Sequence, residues 1–330
     1  MAMIRTKDIT GLFSLEKKPH KGLFAIEWVI VAYTMLTTLT VLFISTKLQH
    51  PDAMIWGRLR VLACTLAVWL VYRLLPCKAT RLVRVIVQLI LLGWWYPDTF
   101  EINRVFPNLD HIFATAEQSV FGCQPALLFH QSMPQYWFSE LMDLGYASYY
   151  PLIVLVTLYY FFYRYGEFER ASFVILASFF AYYVIFIYLP VTGPQYYYHA
   201  VGLEDIAKGI FPNLNDYFST HAERMTSPGW TDGPFYHLVE QAHDAGERPT
   251  AAFPSSHVGI TTVLMLLAWH SGSRKMFFFM LPFFLLMCLA TVYIMAHYAI
   301  DAIAGLFTGV AFYFLFMHLS ANMLTGKARR

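Results

Sequence analysis

The chain is predicted to be an all-α, polytopic membrane protein with about eight transmembrane helices. Three observations predict this. Hydrophobic residues fill 58% of the 330 positions, charged residues only 13%, and the mean hydropathy is +0.48; soluble domains carry about 25% charge. The apolar residues gather in runs of the length a bilayer demands, about twenty per helix. The basic residues are shared unevenly between alternate connections, as the positive-inside rule requires.

Taken in order, spans are expected near Leu23–Ser45, Leu59–Leu75, Leu82–Tyr96, Trp137–Tyr163, Ala171–Val191, Ser255–Trp269, Met276–Ala296 and His297–Leu319. The polar, basic first twenty residues predict that the first apolar run is an uncleaved span. Placing both termini in the cytoplasm puts 16 of the 23 basic residues on that side, including Lys17, Lys18, Lys78, Arg81, Arg274 and Lys275. The other side keeps seven, although it holds the two longest loops, residues 97–134 and 192–250. A net charge of +2 does not suggest nucleic-acid binding. The four cysteines, Cys64, Cys77, Cys123 and Cys288, have neither disulfide nor zinc spacing and read as packing residues. The loop histidines His199, His221, His237 and His243 show no metal-ligand spacing, and no metal or other cofactor is expected.

Two short motifs carry titratable groups. One is Phe253-Pro254-Ser255-Ser256-His257, opening the sixth span; the other is Ala296-His297-Tyr298-Ala299-Ile300-Asp301, joining the seventh to the eighth. A charged group in lipid costs about 2.5–3.5 kcal/mol even on lenient scales, so such residues are rarely idle. On a helix, positions i and i+4 share a face, which lets Asp301 accept a hydrogen bond from the His297 ring. A carboxylate in that position fixes the tautomer and frees the other ring nitrogen to attack or to move protons. The eight-span reading places both motifs on the same, non-cytoplasmic side. The plainer alternatives are a structural His–Asp pair joining two helix ends and a helix start at Pro254-Ser255. Glu27, Glu140 and Asp143 lie in or near spans and are assigned no role; the tyrosine-rich stretches 146–165 and 182–198 read as packing and interface anchors.

Taken together, the two motifs resemble the type-2 phosphatidic acid phosphatase superfamily. The resemblance covers roughly residues 82–319 and implies a six-helix core with its site at one membrane face. It divides the chain into 1–81, the N-terminus with two additional helices, and 82–330, the core. With Gly193-Pro194-Gln195-Tyr196 ending the fifth span, the sequence looks most similar to the branch containing inositol phosphorylceramide synthases. The resemblance implies His297 as nucleophile, Asp301 as its orienting partner, and His257 as the general acid and later base. Ser255 and Ser256 would donate to phosphate at a helix N-terminus, Arg248 and Gln195 would assist, and Lys208 and Arg224 are weaker candidates. The sequence departs from the pattern where Ala290 and Thr291 replace the third motif's usual Ser-Arg, and where no base adjoins Gly193-Pro194. These departures argue against an ordinary phosphatase more than against the superfamily.

The function so implied is hydrolysis of a lipid phosphate through a phosphohistidine. The alternative is transfer of a phospholipid headgroup to a lipid alcohol, a sphingolipid-forming reaction resembling that of the inositol phosphorylceramide synthases. The substrate is a bilayer lipid bearing a phosphate or phosphodiester headgroup, met from the periplasmic, extracellular or lumenal side. A proton-coupled transporter using His297 and Asp301 as a relay, or an inactive scaffold, are the readings from other classes. A transporter predicts titratable groups near the midplane rather than at one interface.

Overall fold

The structure is a computed structural model that describes residues 11–325. It is helical throughout, with one isolated bridge between Leu15 and Cys77 among the described residues. The chain forms two compact units, Met1–Tyr96 and Pro97–Arg330.

The first unit holds α1 (Ala25–Phe43), α2 (Pro51–Leu74) and most of α3 (Lys78–Asn103). Each is apolar on nearly every face, and side chains such as Leu39, Phe43, Leu74 and Ile90 are exposed, as lipid-facing residues are. Buried charged residues interrupt this pattern, among them Arg58, Arg84 and Glu27, the last fully buried in the first turn of α1. Glu27 caps the Phe24 N–H (2.8 Å) and accepts from Arg84 Nε of α3 (2.7 Å). A buried charge is tolerated only when so paired, which gives Glu27 a structural role.

The second unit runs α4 (Asp110–Phe121), α5 (Pro125–Ser132), α6 (Tyr136–Ala147), α7 (Tyr149–Tyr163), α8 (Phe168–Tyr188), α9 (Pro194–Val201), α10 (Leu203–Ala207), α11 (Pro234–Gly246), α12 (Ser256–His270), α13 (Arg274–Tyr293) and α14 (Ala299–Thr325). The centre is α12, which packs against α7, α8, α13 and α14. Its sequence is apolar all round, so it can be enclosed on every side. Small residues bring α14 into backbone contact with it. A Cβ on Gly309 would lie 2.4 Å from the Gly259 carbonyl oxygen, and one on Gly305 would lie 2.4 Å from that of Ser255. This is the small-residue packing of membrane helices, where close approach replaces a hydrophobic driving force.

Among the described residues, six helical segments are long and apolar enough to cross a membrane: Ala25–Phe43, Pro51–Leu74, Lys78–Asn103, Tyr165–Tyr188, Arg274–Tyr293 and Ala299–Ala321. A seventh arises if α6 and α7, bent by 44° at Ser148, form one span. The sixth expected span, α12, is apolar but only 15 residues long.

Three local expectations are corrected. His297 does not open the last helix, which starts at Ala299; it sits in the turn between α13 and α14. The stretch 97–134 is largely helical, completing α3 and forming α4 and α5, and the outer loop 192–250 contains α9, α10 and α11. Asp143, assigned no role from the sequence, is fully buried, and Glu140 accepts from the Phe235 and Tyr236 N–H groups at the start of α11 (3.2 and 3.1 Å).

Gly309→Ala should therefore destabilise the fold by about 1–3 kcal/mol, the usual cost of overpacking, although glycine-to-alanine at an open helical site stabilises. Thermal unfolding in detergent measures the sign, and a midpoint raised by Gly309→Ala contradicts the close packing.

Candidate active site

Four stretches remote in sequence meet at one end of the second unit. Residues 190–195 end α8 and open α9; residues 250–257 lead into α12; residues 294–301 join α13 to α14; and α4 lies alongside. Backbone bonds tie them: Ala252 N–H to the Val191 carbonyl (3.0 Å), Gln195 N–H to Met295 (2.9 Å), and Ser255 N–H to Asp301 (3.0 Å). Gly193 is required where the first and third stretches touch. Its φ is +91°, and a Cβ would stand 2.7 Å from the Ala296 carbonyl oxygen. Two non-glycine residues hold left-handed backbone here, Ala251 (φ 70°) and Met295 (φ 62°), each close to a group that handles His297. Such conformations persist only where surrounding contacts over-determine them, and they cluster at functional sites.

His297 is buried, 3% exposed. Its Nδ1 lies 2.8 Å from the Ala252 carbonyl oxygen. A carbonyl only accepts, so Nδ1 carries the proton and Nε2 presents a bare lone pair. That lone pair faces His257 Nδ1 at 3.5 Å, with ring centroids 5.7 Å apart. The convergence expected of the two histidines is thus present. His257, in the first turn of α12, has its ring against Tyr146 (4.6 Å, stacked) and Tyr149 (4.5 Å, tilted).

Asp301 does not orient the His297 ring by a hydrogen bond. Its Oδ2 accepts the Tyr298 N–H (2.9 Å), and Nδ1 of His297 is 3.7 Å away. The physical reason is the turn. The i, i+4 rule assumes both residues are helical, whereas His297 precedes the helix and Asp301 sits in its first turn, where a carboxylate reaches back to cap. Asp301 remains close enough to stabilise positive charge on the ring.

The other expected residues divide. Ser255 is buried and caps α12 through Oγ, which accepts the Val258 N–H (3.4 Å); Ser256 opens that helix next to His257. Gln195 reaches the site through its backbone, while its side chain donates to Glu247 (2.7 Å). Arg248 donates to the Glu247 carbonyl (2.9 Å). Both side chains are therefore engaged at Glu247. Arg224 is taken up by Glu240 (3.0 Å) and Asp244 (2.8 Å), and Lys208 lies in an exposed pair with Asp205 (3.7 Å).

The sequence reading missed Asp110 and Glu117 on α4. Asp110 accepts from the Thr192 N–H (2.7 Å) and hydroxyl (2.9 Å), the Gly193 N–H (2.9 Å), Asn108 (2.6 Å) and the Tyr298 hydroxyl (3.1 Å). Glu117 accepts the Ala299 and Ile300 N–H groups (2.9 and 3.0 Å). Burial pushes both carboxyls above their ordinary range, against the pull of those hydrogen bonds. Tyr146 and Tyr149 were read as packing residues and are the walls of the His257 ring. The one available signal was the i, i+7 spacing of two acids on an otherwise apolar face.

The family model of the PAP2 superfamily matches residues 110–315, and the chain belongs to that superfamily. Membership supports an enzyme of the phosphatase or phosphotransferase type acting on lipid phosphates. No curated protein and no solved structure matches the chain.

Burial pushes the His297 imidazole down to about 4, against the upward pull of the Ala252 hydrogen bond. A lowered value means the ring stays neutral as pH falls through 6.5 and charges only near 4. Imidazole ¹⁵N spectra should show Nδ1 protonated and Nε2 bare from pH 5 to 8, whereas a titration midpoint near the ordinary 6.5 contradicts this environment.

Proposed function

We propose that the protein is a membrane lipid phosphate phosphatase working through a phosphohistidine on His297, at the non-cytoplasmic face. The observation that carries this reading is the pair of imidazoles, one with a lone pair directed at the other across 3.5 Å. In the first step the Nε2 lone pair of His297 forms a bond to phosphorus while the bond from phosphorus to the leaving alcohol oxygen breaks. The proton that oxygen needs comes from His257. The phosphorylated ring, still protonated at Nδ1, is cationic, and Asp301 at 3.7 Å offsets that charge. In the second step His257 takes a proton from water, whose oxygen displaces His297 from phosphorus and releases inorganic phosphate.

A gap of 3.5 Å is too narrow for a phosphoryl group between the rings. Substrate entry therefore moves His257, held by ring contacts and the long 3.5 Å contact that the substrate replaces, and not His297, which the 2.8 Å bond to Ala252 pins. The backbone N–H groups of Ser256 and His257, in the first turn of α12, have no intrahelical acceptor and supply donors to the phosphoryl oxygens.

One observation favours transfer over hydrolysis. Arg224 is taken up by Glu240 and Asp244, and Lys208 pairs with Asp205, so cations for a dianionic monoester are scarce. A singly charged phosphodiester headgroup asks for fewer. Lipid alcohol would then replace water in the second step.

His297→Ala should reduce turnover of a lipid phosphate to background. His257→Ala should lower it by about 10²–10⁴-fold, the usual worth of a general acid–base. Vanadate should inhibit the wild type. Phosphate release measured with and without ceramide or diacylglycerol separates the two reactions: release without acceptor means hydrolysis, and a product formed only with acceptor means transfer. Retained turnover in His297→Ala rejects both.

A further inference from the structure

α4 carries two buried carboxylates seven residues apart, hence on one face, and neither is used in the chemistry above. Between them they accept hydrogen bonds on both sides of the proposed nucleophile. On the C-terminal side, Glu117 holds the Ala299 and Ile300 N–H groups and Asp110 holds the Tyr298 hydroxyl. On the N-terminal side, Asp110 fixes Thr192 and Gly193, and the same segment hooks Met295 through Gln195 N–H. His297 stands between these anchors, two residues from Met295 and two from Ala299. Both carboxylates are fully buried, so their contacts are not exchanged for water. Asp301 caps Tyr298 and nothing further; without Glu117 the first two N–H groups of α14 would be left without an acceptor at the point where the ring must hold its aim.

We propose that Glu117, supported by Asp110, is a positioning residue for His297. It clamps the turn so that the ring keeps its Nδ1–H on the Ala252 carbonyl and its Nε2 lone pair toward the phosphorus. The inference rests on the phosphohistidine reading. It has a second consequence. With the N-terminus of α14 occupied by an anion of the protein itself, an incoming phosphate is left the N-terminus of α12, beside His257. The clamp sets the direction of approach as well as the aim of the nucleophile.

The test compares Glu117→Ala and the near-isosteric Glu117→Gln with wild type in membranes and in detergent. A displacement of about 1 Å at a reacting group costs about 10²-fold in rate. Glu117→Ala should therefore lose kcat by about that factor with KM changed less than about threefold, and Glu117→Gln should fall between. In the folded, monodisperse fraction, ¹⁵N spectra of His297 should show mixed tautomers in Glu117→Ala, which a purely stabilising contact would not produce. Wild-type kcat in Glu117→Ala overturns the proposal, as does a kcat loss with the single Nδ1–H tautomer retained. If Glu117→Ala does not fold, Glu117→Gln carries the same two readouts. His297→Ala assayed alongside separates the failures: turnover surviving there overturns the nucleophile, whereas turnover lost there but kept in Glu117→Ala overturns only the clamp.

Discussion

The hydrogen bond from His297 Nδ1–H to the Ala252 carbonyl, 2.8 Å long, is the contact on which the rest of this site depends. It fixes the tautomer, and the tautomer decides which nitrogen has a lone pair to offer. A carbonyl does this more strictly than a carboxylate, because it has no proton to exchange and no titration of its own. The arrangement requires Ala252 and His297, 45 residues apart, to stay in register. That explains why the backbone is so heavily tied around them: Ala252 to Val191, Ser255 to Asp301, Gln195 to Met295. Of the left-handed residues, Met295 accepts one of these bonds and Ala251 precedes the donor of another. Local strain there is of order 1–3 kcal/mol per residue and is held by the surrounding bonds.

Buried carboxylates do the organising. Asp110, Glu117 and Asp301 are all fully buried at one end of the second unit, and between them they accept from seven backbone or side-chain donors in residues 192–193 and 298–300. A carboxylate in an apolar surrounding is expensive alone and stabilising when every lobe is satisfied. Glu27 plays the same part in the first unit through Arg84. In a chain with so few charges, Glu27, Asp110 and Glu117 are each committed to specific backbone groups or a cation.

Much of this was legible in the sequence. Composition and run length were enough for the helical, multi-span architecture, because the bilayer constrains both. The two histidine motifs were legible because titratable residues stand out against apolar runs, and charge asymmetry put them on one side. The expectation failed where local geometry departs from a regular helix. Asp301 was paired with the His297 ring by helical spacing, and the chain is not helical at His297. The i, i+7 spacing of Asp110 and Glu117 is masked because 97–134 mixes prolines, aromatics and polar residues, a composition that reads as loop; only the tertiary packing of α4 reveals what its acids cap. Tyr146 and Tyr149 belong to a tyrosine-rich run in which no residue is distinguished by sequence alone. Of the basic candidates, Arg224 is claimed by the acids of α11 and Lys208 by Asp205, while Arg248 donates to the backbone carbonyl of Glu247.

The central claim is that Nε2 of His297 becomes covalently bound to phosphorus. Rapid acid-free quenching during turnover of a lipid bearing ³²P phosphate, followed by proteolysis and mass spectrometry, measures it directly. The account predicts a label that is stable to base and labile to acid, on the peptide containing His297, absent from His297→Ala and accumulating in His257→Ala. Turnover with no protein-bound label, or a label mapped to any other residue, would contradict it.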